Sequence, residues 1–188
     1  MRFKANTIAS AVLFCLAAAL SALWPAAPAR CSQPKEAPEY QLKAAFLYNI
    51  LQFTQWPEKA FKDADSPVVI CVADEKALGT SFAAYQNDRI QGRKLVVKPY
   101  VQGQAMPDCQ VLFLNTQDKA LLKEALGAAK SKTVLTVGES DGFAGMGGIV
   151  NFFTEGSKLR FEINADAAKR AGLKLSSEIL KVAKIVTE

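Results

Sequence analysis

The sequence contains no histidine. The absence of histidine excludes catalysis of the Ser-His-Asp and Cys-His types and every zinc site that has a histidine ligand. Two carboxylate pairs are present, Asp63/Asp65 and Asp74/Glu75, but a polar loop and a helix start explain them better than glycosidase chemistry, which needs two carboxylates across a cleft. We therefore expect a binding protein rather than an enzyme, with no catalytic residues, cofactor or metal.

Signatures for phosphate and nucleic-acid binding are also lacking. Residues 138–148 (GESDGFAGMGG) are rich in glycine, but they contain neither G-x-G-x-x-G nor G-K-[ST]. They connect two expected strands, so no helix N-terminus follows to bind an anion, and we expect a flexible loop. Positive charge is spread along the chain without a basic run, and nucleic acid is not an expected partner.

The N-terminus has the three parts of a secretory signal. Arg2 and Lys4 provide the positive region, residues 7–20 are uncharged and apolar or small, and Ala27-Pro28-Ala29 provides a cleavage site. We expect residues 1–29 to be a signal peptide that is cleaved as the protein enters the periplasm. The loss of two lysine and arginine charges reduces the formal net charge from +5 to +3.

Two other interpretations of this segment are weaker. A membrane-anchoring helix over the uncharged residues 5–29 is disfavoured because Pro25 and Pro28 break its end. A lipoprotein is disfavoured because Arg30 precedes Cys31, where lipoprotein processing requires a small residue. The expected organisation is therefore the signal peptide, a flexible leader over residues 30–38 and one domain over residues 39–188.

Buried strands alternate with helices through most of the domain. Residues 67–73 (PVVICVA) are an unbroken apolar run, typical of a strand that is buried on both faces. The other expected elements are helices at 39–53, after an Asp74 cap, at 118–129, after an Asn164 cap and after a Ser176 cap, and strands at 94–98, 109–114 and 133–137. This order predicts an α/β fold: a single domain with a mainly parallel sheet, flanked by helices, and a C-terminal antiparallel hairpin.

Apolar spacing in the first and last helices predicts which side chains face the core. The first helix should present Leu42, Phe46, Ile50 and Phe53, with Leu47 and Leu51 widening the stripe. The last helix should present Ile179, Val182, Ile185 and Val186. Both expectations depend on the helical period alone.

The predicted hairpin is the most informative segment. Residues 148–154 and 157–163 alternate around Glu155-Gly156, which predicts a two-residue turn and places Phe153 opposite Lys158. One face is apolar and belongs to the core: Val150, Phe152, Leu159, Phe161 and Ile163. The other face is mixed: Ile149, Asn151, Phe153, Lys158, Arg160 and Glu162. This second face is either ordinary solvated surface or a contact surface with an aromatic side chain and an arginine at its middle.

We predict that a partner binds this mixed face and the helix cap that follows. The predicted binding residues are Trp56, Asn151, Phe153, Arg160, Glu162 and Asn164. Phe153 would supply apolar burial, and Arg160 would pair with a carboxylate of the partner, with Glu162 able to orient it. Trp56 is either a core aromatic residue or a second anchor.

Three cysteines remain after cleavage of the signal: Cys31, Cys71 and Cys109. The periplasm is oxidising, so a disulfide is the default expectation. Cys71 and Cys109 both border strands, and we predict that they form the bridge and leave Cys31 either as a free thiol or to pair between chains. The bridge requires Cα atoms within about 7 Å, so the strand of Cys109 would have to bend inward at its start. A redox-active pair is less favoured, because the two lie outside a C-x-x-C arrangement.

Two stretches resemble the YfiR family of periplasmic proteins. Residues 40–61 (YQLKAAFLYNILQFTQWPEKAF) are similar to the opening helix of the family and its aromatic-Trp-Pro end. Residues 142–186 are similar to its glycine-rich turn, its R-x-E-x-N strand, here Arg160, Glu162 and Asn164, and the Ser-Ser start of its last helix. The resemblance spans nearly all of the predicted domain.

This resemblance implies a regulatory function. The best-known member represses an inner-membrane diguanylate cyclase by binding the periplasmic sensor region of that enzyme, which lowers cyclic-di-GMP and biofilm formation. An outer-membrane lipoprotein can sequester that member. For this chain, the resemblance implies the same partners, with a homodimer as a further possibility. The alternative is a periplasmic small-ligand-binding receptor, in which Trp56 and the Asn151/Arg160 face line a pocket.

The resemblance also concerns the cysteines. Cys71 and Cys109 resemble the pair that forms the core-stabilising disulfide of the family. A second bridge of the family would fall near Met146 and Phe153, where this chain has no cysteine. Redox regulation through that second bridge is therefore not implied.

Overall fold

The computed structural model describes residues 36–187, apart from residues 74–77, 86 and 102–103. All described residues belong to the unit Pro34–Glu188. The predicted signal peptide, Cys31 and the Asp74/Glu75 pair lie outside them. No helix in the described part of the chain combines the length and the apolar character that a membrane crossing requires.

The described chain alternates between strands and helices, as predicted. The helices are α1 (Glu36–Gln52), α2 (Lys119–Ala129), α3 (Ala165–Arg170) and α4 (Ser177–Val182), and single 3-10 turns lie at Glu58–Ala60, Phe82–Tyr85 and Ala144–Met146. The strands are β1 (Thr54–Gln55), β2 (Val68–Val72), β3 (Arg89–Ile90), β4 (Arg93–Pro99), β5 (Val111–Leu114), β6 (Leu135–Gly138), β7 (Val150–Glu155), β8 (Lys158–Asn164), β9 (Lys174–Leu175) and β10 (Lys184–Val186). Helix α1 begins three residues before the predicted start, inside the predicted leader.

Eight strands form one sheet in the order β10-β8-β7-β6-β5-β2-β4-β3. The run from β4 through β2, β5 and β6 to β7 is parallel, and the β7–β8 and β3–β4 pairs are antiparallel. Strand β10 adds in parallel to the outer edge of β8. A separate two-stranded sheet pairs β1 with β9. The predicted fold class, a single α/β domain with a mainly parallel sheet and a C-terminal antiparallel hairpin, is confirmed.

The central strands are apolar because helices cover both of their faces. On one face of the sheet, which we call the α1 face, Val68, Ile70, Val111 and Phe113 share a core with Leu47 and Leu51 of α1. On the other, the α2 face, Val69, Cys71, Leu112 and Leu114 pack with Leu122 and Leu126 of α2. Successive strand residues point to opposite faces, so a strand covered on both sides is almost entirely apolar. The buried Thr136 of β6 has a partner, since its hydroxyl accepts a hydrogen bond from the amide of Ile149 at 3.0 Å.

Two predicted helix caps, Asn164 and Ser176, are confirmed, and Asp118, predicted as the first residue of its helix, is a third cap. The Asp118 carboxylate accepts a hydrogen bond from the amide of Ala120 at 2.8 Å. The Asn164 side-chain oxygen accepts one from Ala167 at 2.8 Å, and the Ser176 hydroxyl accepts one from Glu178 at 3.2 Å. Each side chain satisfies a backbone donor in the first turn that has no partner within the helix.

The buried stripe of α1 differs from the predicted one. Leu42 is 46% exposed, whereas Lys43 is only 6% exposed and points into the protein. Ile50, Leu47 and Leu51 are buried as predicted, while Phe46 and Phe53 are only partly buried. The helical pattern misplaced the stripe because it treated a charged residue as necessarily exposed, and Lys43 has carboxylate partners in the fold.

The C-terminal segment is also different. Helix α4 ends at Val182, and Ala183 takes an extended conformation with φ −89° and ψ 152°. Residues 184–186 then pair with β8, and Val182 and Ile185 are 66% and 49% exposed. The prediction that both face the core was wrong. The open edge of β8 supplies hydrogen-bond partners for the backbone of residues 184–186. Ile185 and Val186 are β-branched, and such residues favour a strand over a continued helix.

The hairpin has a register two residues away from the predicted one. Glu155 pairs with Lys158, so the turn is Gly156-Ser157 rather than Glu155-Gly156, and Phe153 lies opposite Arg160 rather than Lys158. Gly156 has φ 62°, in the left-handed region that glycine adopts without strain. A shift of two residues leaves each strand side chain on its predicted face, because the strand period is two. Ile149 precedes β7 and is 2% exposed, so its predicted outward position was wrong.

Candidate partner-binding site

The candidate site lies on the hairpin, on the side of the sheet that carries the α2 face. We call it the outward hairpin face, formed by Asn151, Phe153, Glu155, Lys158, Arg160, Glu162 and Lys184. Strand pairing aligns these residues in rows, with Asn151 beside Glu162 and Glu162 beside Lys184 in one row and Phe153 beside Arg160 in the next. Lys184 was not predicted, because its segment had been assigned to a helix.

Glu162 lies at the centre of the first row. The amide of Asn151 donates a hydrogen bond to one carboxylate oxygen at 3.2 Å, and the ammonium of Lys184 lies 3.5 Å from the other. The Glu162 side chain is only 13% exposed. It therefore holds Lys184 in position, and the bond from Asn151 limits the directions in which its carboxylate can turn.

Phe153 and Arg160 form the accessible part of the face. Phe153 is partly buried, and the Lys184 ammonium lies 5.4 Å from the centre of its ring, within the range of a cation–π interaction. The Arg160 side chain is 51% exposed, and its Nε lies 3.4 Å from a carboxylate oxygen of Glu155. The ion pair that the structure gives Arg160 is thus with Glu155, and Glu162 pairs with Lys184 instead of orienting Arg160 as predicted.

Two other predicted binding residues are buried in the fold. Asn164 is 0% exposed; its amide donates to the carbonyl of Ala144 at 2.9 Å and its oxygen caps α3. Asn151 is 3% exposed, and its side-chain oxygen has no hydrogen-bond partner among the described residues. Both asparagines support the face from beneath, and a partner would not contact them directly.

Trp56 lies apart from the hairpin. Its indole N–H donates to the carbonyl of Gln110, just before β5, at 3.2 Å, and its ring packs against the core on the α1 face. The structure therefore does not join Trp56 with the Asn151/Arg160 face into one pocket. Its indole donor is already used, which supports a position at the core boundary.

The glycine-rich segment packs around one phenylalanine. Phe143 is fully buried, and a Cβ added to Gly138 would lie 2.6 Å from its ring; a Cβ on Gly148 would also collide with it. Residues 144–146 form a 3-10 turn that continues into Gly147. The glycines thus allow close packing of Phe143, where the sequence had indicated only a flexible loop.

Cys71 and Cys109 are both buried and both reduced in the structure. Their side chains pack in the same core on the α2 face, although Cys71 lies opposite Leu112 in the strand pairing, three residues beyond Cys109. The hydrogen bond from Cys109 lowers the pKa of Cys71, and the same bond, together with burial, raises the pKa of Cys109. The segment before β5 does bring the two thiols together, as the predicted bridge requires; the bridge itself stays a prediction.

A buried polar cluster, formed by Tyr40, Lys43 and Glu139, was missed by the sequence analysis. The Lys43 ammonium lies 2.6 Å from one Glu139 oxygen and 2.6 Å from Glu39, and the Tyr40 hydroxyl donates to the other Glu139 oxygen at 2.7 Å. Burial alone would lower the pKa of Lys43, but these bonds and charges outweigh it and raise that pKa. Burial and Glu139 also raise the pKa of Tyr40. The cluster fixes α1 to the carboxyl end of β6.

The fold and the site define a class: a small α/β domain whose C-terminal hairpin presents a partly exposed surface of aromatic and charged side chains. A family model described as YfiR/HmsC-like matches residues 40–184, which is more than half of the chain. The chain belongs to the YfiR/HmsC-like family. Membership indicates a periplasmic regulatory protein.

Solved structures agree on the fold. A conserved domain protein from Vibrio cholerae O1 biovar eltor superposes with a TM-score of 0.52 at 15% sequence identity, covering 79% of this chain. This chain spans 60% of the length of that protein. At this identity the likeness concerns the fold alone. No curated protein has significant sequence similarity to the chain.

Proposed function

We propose that this protein binds the periplasmic sensor region of an inner-membrane diguanylate cyclase and holds the enzyme inactive. Repression lowers cyclic-di-GMP and with it biofilm formation. The observation that carries the proposal is the outward hairpin face, where Phe153 and Arg160 remain accessible while the neighbouring parallel strands are covered by helices on both faces. Aromatic and arginine side chains are the types enriched at the centres of interfaces.

The charges of this face suit a partner surface with acidic and apolar groups. Arg160 and Lys184 flank Phe153, and their carboxylate partners Glu155 and Glu162 are the only acidic members of the face as defined. An approaching carboxylate can displace Glu155 from Arg160, because both side chains are more than half exposed. Phe153 would then lose its remaining contact with water, which supplies the apolar part of the affinity.

Repression additionally requires unequal affinity for two states of the cyclase. A ligand shifts a conformational equilibrium only by the difference between its affinities for the two states. We therefore propose that the face fits the inactive sensor region better than the active one. An outer-membrane lipoprotein that sequesters the protein would lower its free concentration and release the cyclase.

The test replaces the two accessible residues, Phe153→Ser and Arg160→Ala. Each variant should bind the sensor region at least about 30-fold more weakly, equivalent to a hot spot of about 2 kcal/mol. Cells that carry either variant should have raised cyclic-di-GMP. Affinity is measured with the purified periplasmic region of the cyclase, after an unchanged melting temperature has been verified.

Matched controls lie away from the face. Val101→Ser removes an exposed apolar side chain, and Lys94→Ala removes an exposed positive charge from a strand near the opposite edge of the sheet. Both should bind and repress normally. If the Phe153 and Arg160 variants also do so, the outward hairpin face is ordinary surface and the partner contacts the protein elsewhere.

The predicted export can be tested independently. Mass determination of the protein recovered from the periplasm should give a mature chain that begins at Arg30. A chain that retains residues 1–29 would contradict the predicted cleavage and leave the protein attached to the membrane.

A further inference from the structure

A second surface feature lies away from the hairpin. A cavity of about 670 Å³ opens on the α2 face, near the starts of β2, β5 and β6. Its lining includes Val69, Cys109, Gln110 and Val134, together with residues of the segment that precedes β2. The volume falls in the range typical of small-molecule sites.

Four lysines line this cavity, and they come from four places in the sequence. Lys59 lies in the first 3-10 turn, Lys62 in the loop that follows, Lys98 in β4 and Lys132 after α2. Asp108 is the one acidic residue in the same lining. Its side chain is fully exposed and lies 4.0 Å from the Lys132 ammonium, so it offsets little of the positive charge.

The walls of the cavity are held by hydrogen bonds to backbone groups. The Gln110 side chain accepts from the amide of Val69 at 2.9 Å and donates to the carbonyl of Ala60 at 2.8 Å, which ties the loop to two strands. The Arg93 guanidinium donates to the carbonyls of Asp63, Ala64 and Ser66 at 2.8–2.9 Å and lies 3.8 Å from the centre of the Phe61 ring. Hydrogen bonds from the Gln110 and Arg93 side chains therefore fix the segment that contains Lys59 and Lys62.

Lys132 is fixed in a similar way. Its ammonium donates to the carbonyl of Met106 at 2.9 Å, and its side chain is only 36% exposed. Lys98 and Lys132 also act on the buried Cys71, which is not part of the lining: after the bond from Cys109, and against the effect of burial, their charges contribute to its lowered pKa. The site therefore combines a preformed shape with concentrated positive charge, which reduces the cost of ordering when an anion binds.

We propose that this lysine-lined cavity binds a small oxyanion with more than one negative group, of phosphate or carboxylate chemistry. Lysine ammonium groups bind phosphates and carboxylates as flexible point charges, and several of them can surround one compact anion. The proposal is independent of the cyclase interaction, since the cavity and the outward hairpin face share no residue.

Titration calorimetry with inorganic pyrophosphate at low ionic strength tests the proposal. The double variant Lys62→Gln/Lys98→Gln should weaken binding by about tenfold or more, since each lost charge removes a Coulomb attraction to the anion. Both side chains are exposed, so the fold should persist, which an unchanged melting temperature verifies. The charge-matched control Lys119→Gln/Lys181→Gln removes two exposed lysines that lie outside both the cavity and the outward hairpin face, and should bind like the wild type.

The same chemistry is available from anionic lipid headgroups, so a second arm uses vesicles. Cosedimentation with phosphatidylglycerol vesicles, compared with phosphatidylcholine vesicles, shows whether the anion can be presented by a membrane. Loss of pyrophosphate or of phosphatidylglycerol binding in the cavity variant alone supports the proposal and identifies the source. Failure of the wild type to bind either, or equal loss in the control variant, overturns it; Arg160→Ala should change neither measurement.

Discussion

The centre of the sheet and its hairpin end are built from the same kind of strand but are covered differently. Every residue of β2, β5 and β6 is buried, because α1 and α2 lie on opposite faces of these strands. In β7 and β8 burial decreases towards the turn: Phe153 is partly buried, and Thr154, Glu155, Lys158 and Arg160 are exposed. The centre therefore contributes stability, while the hairpin end has one face free to contact another molecule.

The difference shows how one sheet serves two purposes. Burial on both faces excludes polar side chains that lack a hydrogen-bond partner, so substitutions in the centre should lower the free energy of unfolding. Near the turn, one-sided burial fixes the hairpin through Phe152 and Phe161 and leaves Phe153 and Arg160 accessible. Substitutions should therefore separate into those that unfold the protein and those that change only what it binds.

The largest effect is expected in the centre. Leu112→Ala should lower the free energy of unfolding by about 3–4 kcal/mol, because Leu112 is fully buried between β5 and α2 and leaves a cavity. The same change at the partly buried Leu159 of the hairpin should cost less than half as much. Urea denaturation measures both values, and equal losses would contradict the contrast between the two regions.

The cysteine pair should give the next largest effect. If Cys71 and Cys109 form the predicted disulfide, oxidation should stabilise the protein by about 3–4 kcal/mol through closure of a loop of about 40 residues. Non-reducing peptide mapping identifies the bridge, and urea denaturation with and without reductant measures its effect. Cys109→Ala serves as the control and should not respond to reductant; free thiols in protein isolated from the periplasm would disprove the bridge.

The polar cluster at the end of β6 should have an intermediate effect. Glu139→Gln leaves the buried Lys43 with only the half-exposed Glu39, and should cost about 2–3 kcal/mol at neutral pH. The exposed Glu58→Gln, measured by the same urea denaturation, is the control and should change stability little.

The same cluster predicts a loss of stability in alkali. The folded pKa values of Lys43 and Tyr40 are both raised. Their contribution is therefore complete below the unfolded pKa values, near pH 10, and is lost as pH rises through the higher folded values. Wild-type protein should lose more stability above pH 10 than Glu139→Gln does; parallel curves would show that the cluster does not cause the loss.

The smallest effect on folding is expected at the outward hairpin face. Arg160→Ala should change the free energy of unfolding by less than about 0.5 kcal/mol, because its ion pair with Glu155 is exposed on both sides. Thermal and urea denaturation check this value. A loss above about 1 kcal/mol would mean that Arg160 supports the fold, and its effect on partner binding could then not be assigned to contact.

Local patterns predicted much of the fold correctly. The apolar run of β2, the caps at Asn164 and Ser176, and the two faces of the hairpin strands follow from residue type and from the strand period. Errors arose where a long-range partner changed a local preference. Lys43 is buried because Glu139, distant in sequence, meets it, and residues 184–186 form a strand because β8 has an open edge.

The candidate site was predicted in part. Phe153, Arg160 and Glu162 do lie on one face, because a register error of two residues preserves the side of each residue. Asn151, Asn164 and Trp56 could be recognised as polar or aromatic candidates, but their burial and hydrogen bonds depend on elements far away in the chain. Lys184 joins the face only through the pairing of β10 with β8.

The sequence by itself determined the class of the fold, the positions of its central strands and the similarity to a family of regulators. Those properties depend on local period, capping and motif, which act over a few residues. Only the tertiary structure decided that Lys43 meets Glu139, that Phe143 packs against two glycines, and that four lysines scattered over the sequence line one cavity. Contacts between distant segments depend on how strands are ordered in the sheet, and no local pattern encodes that order.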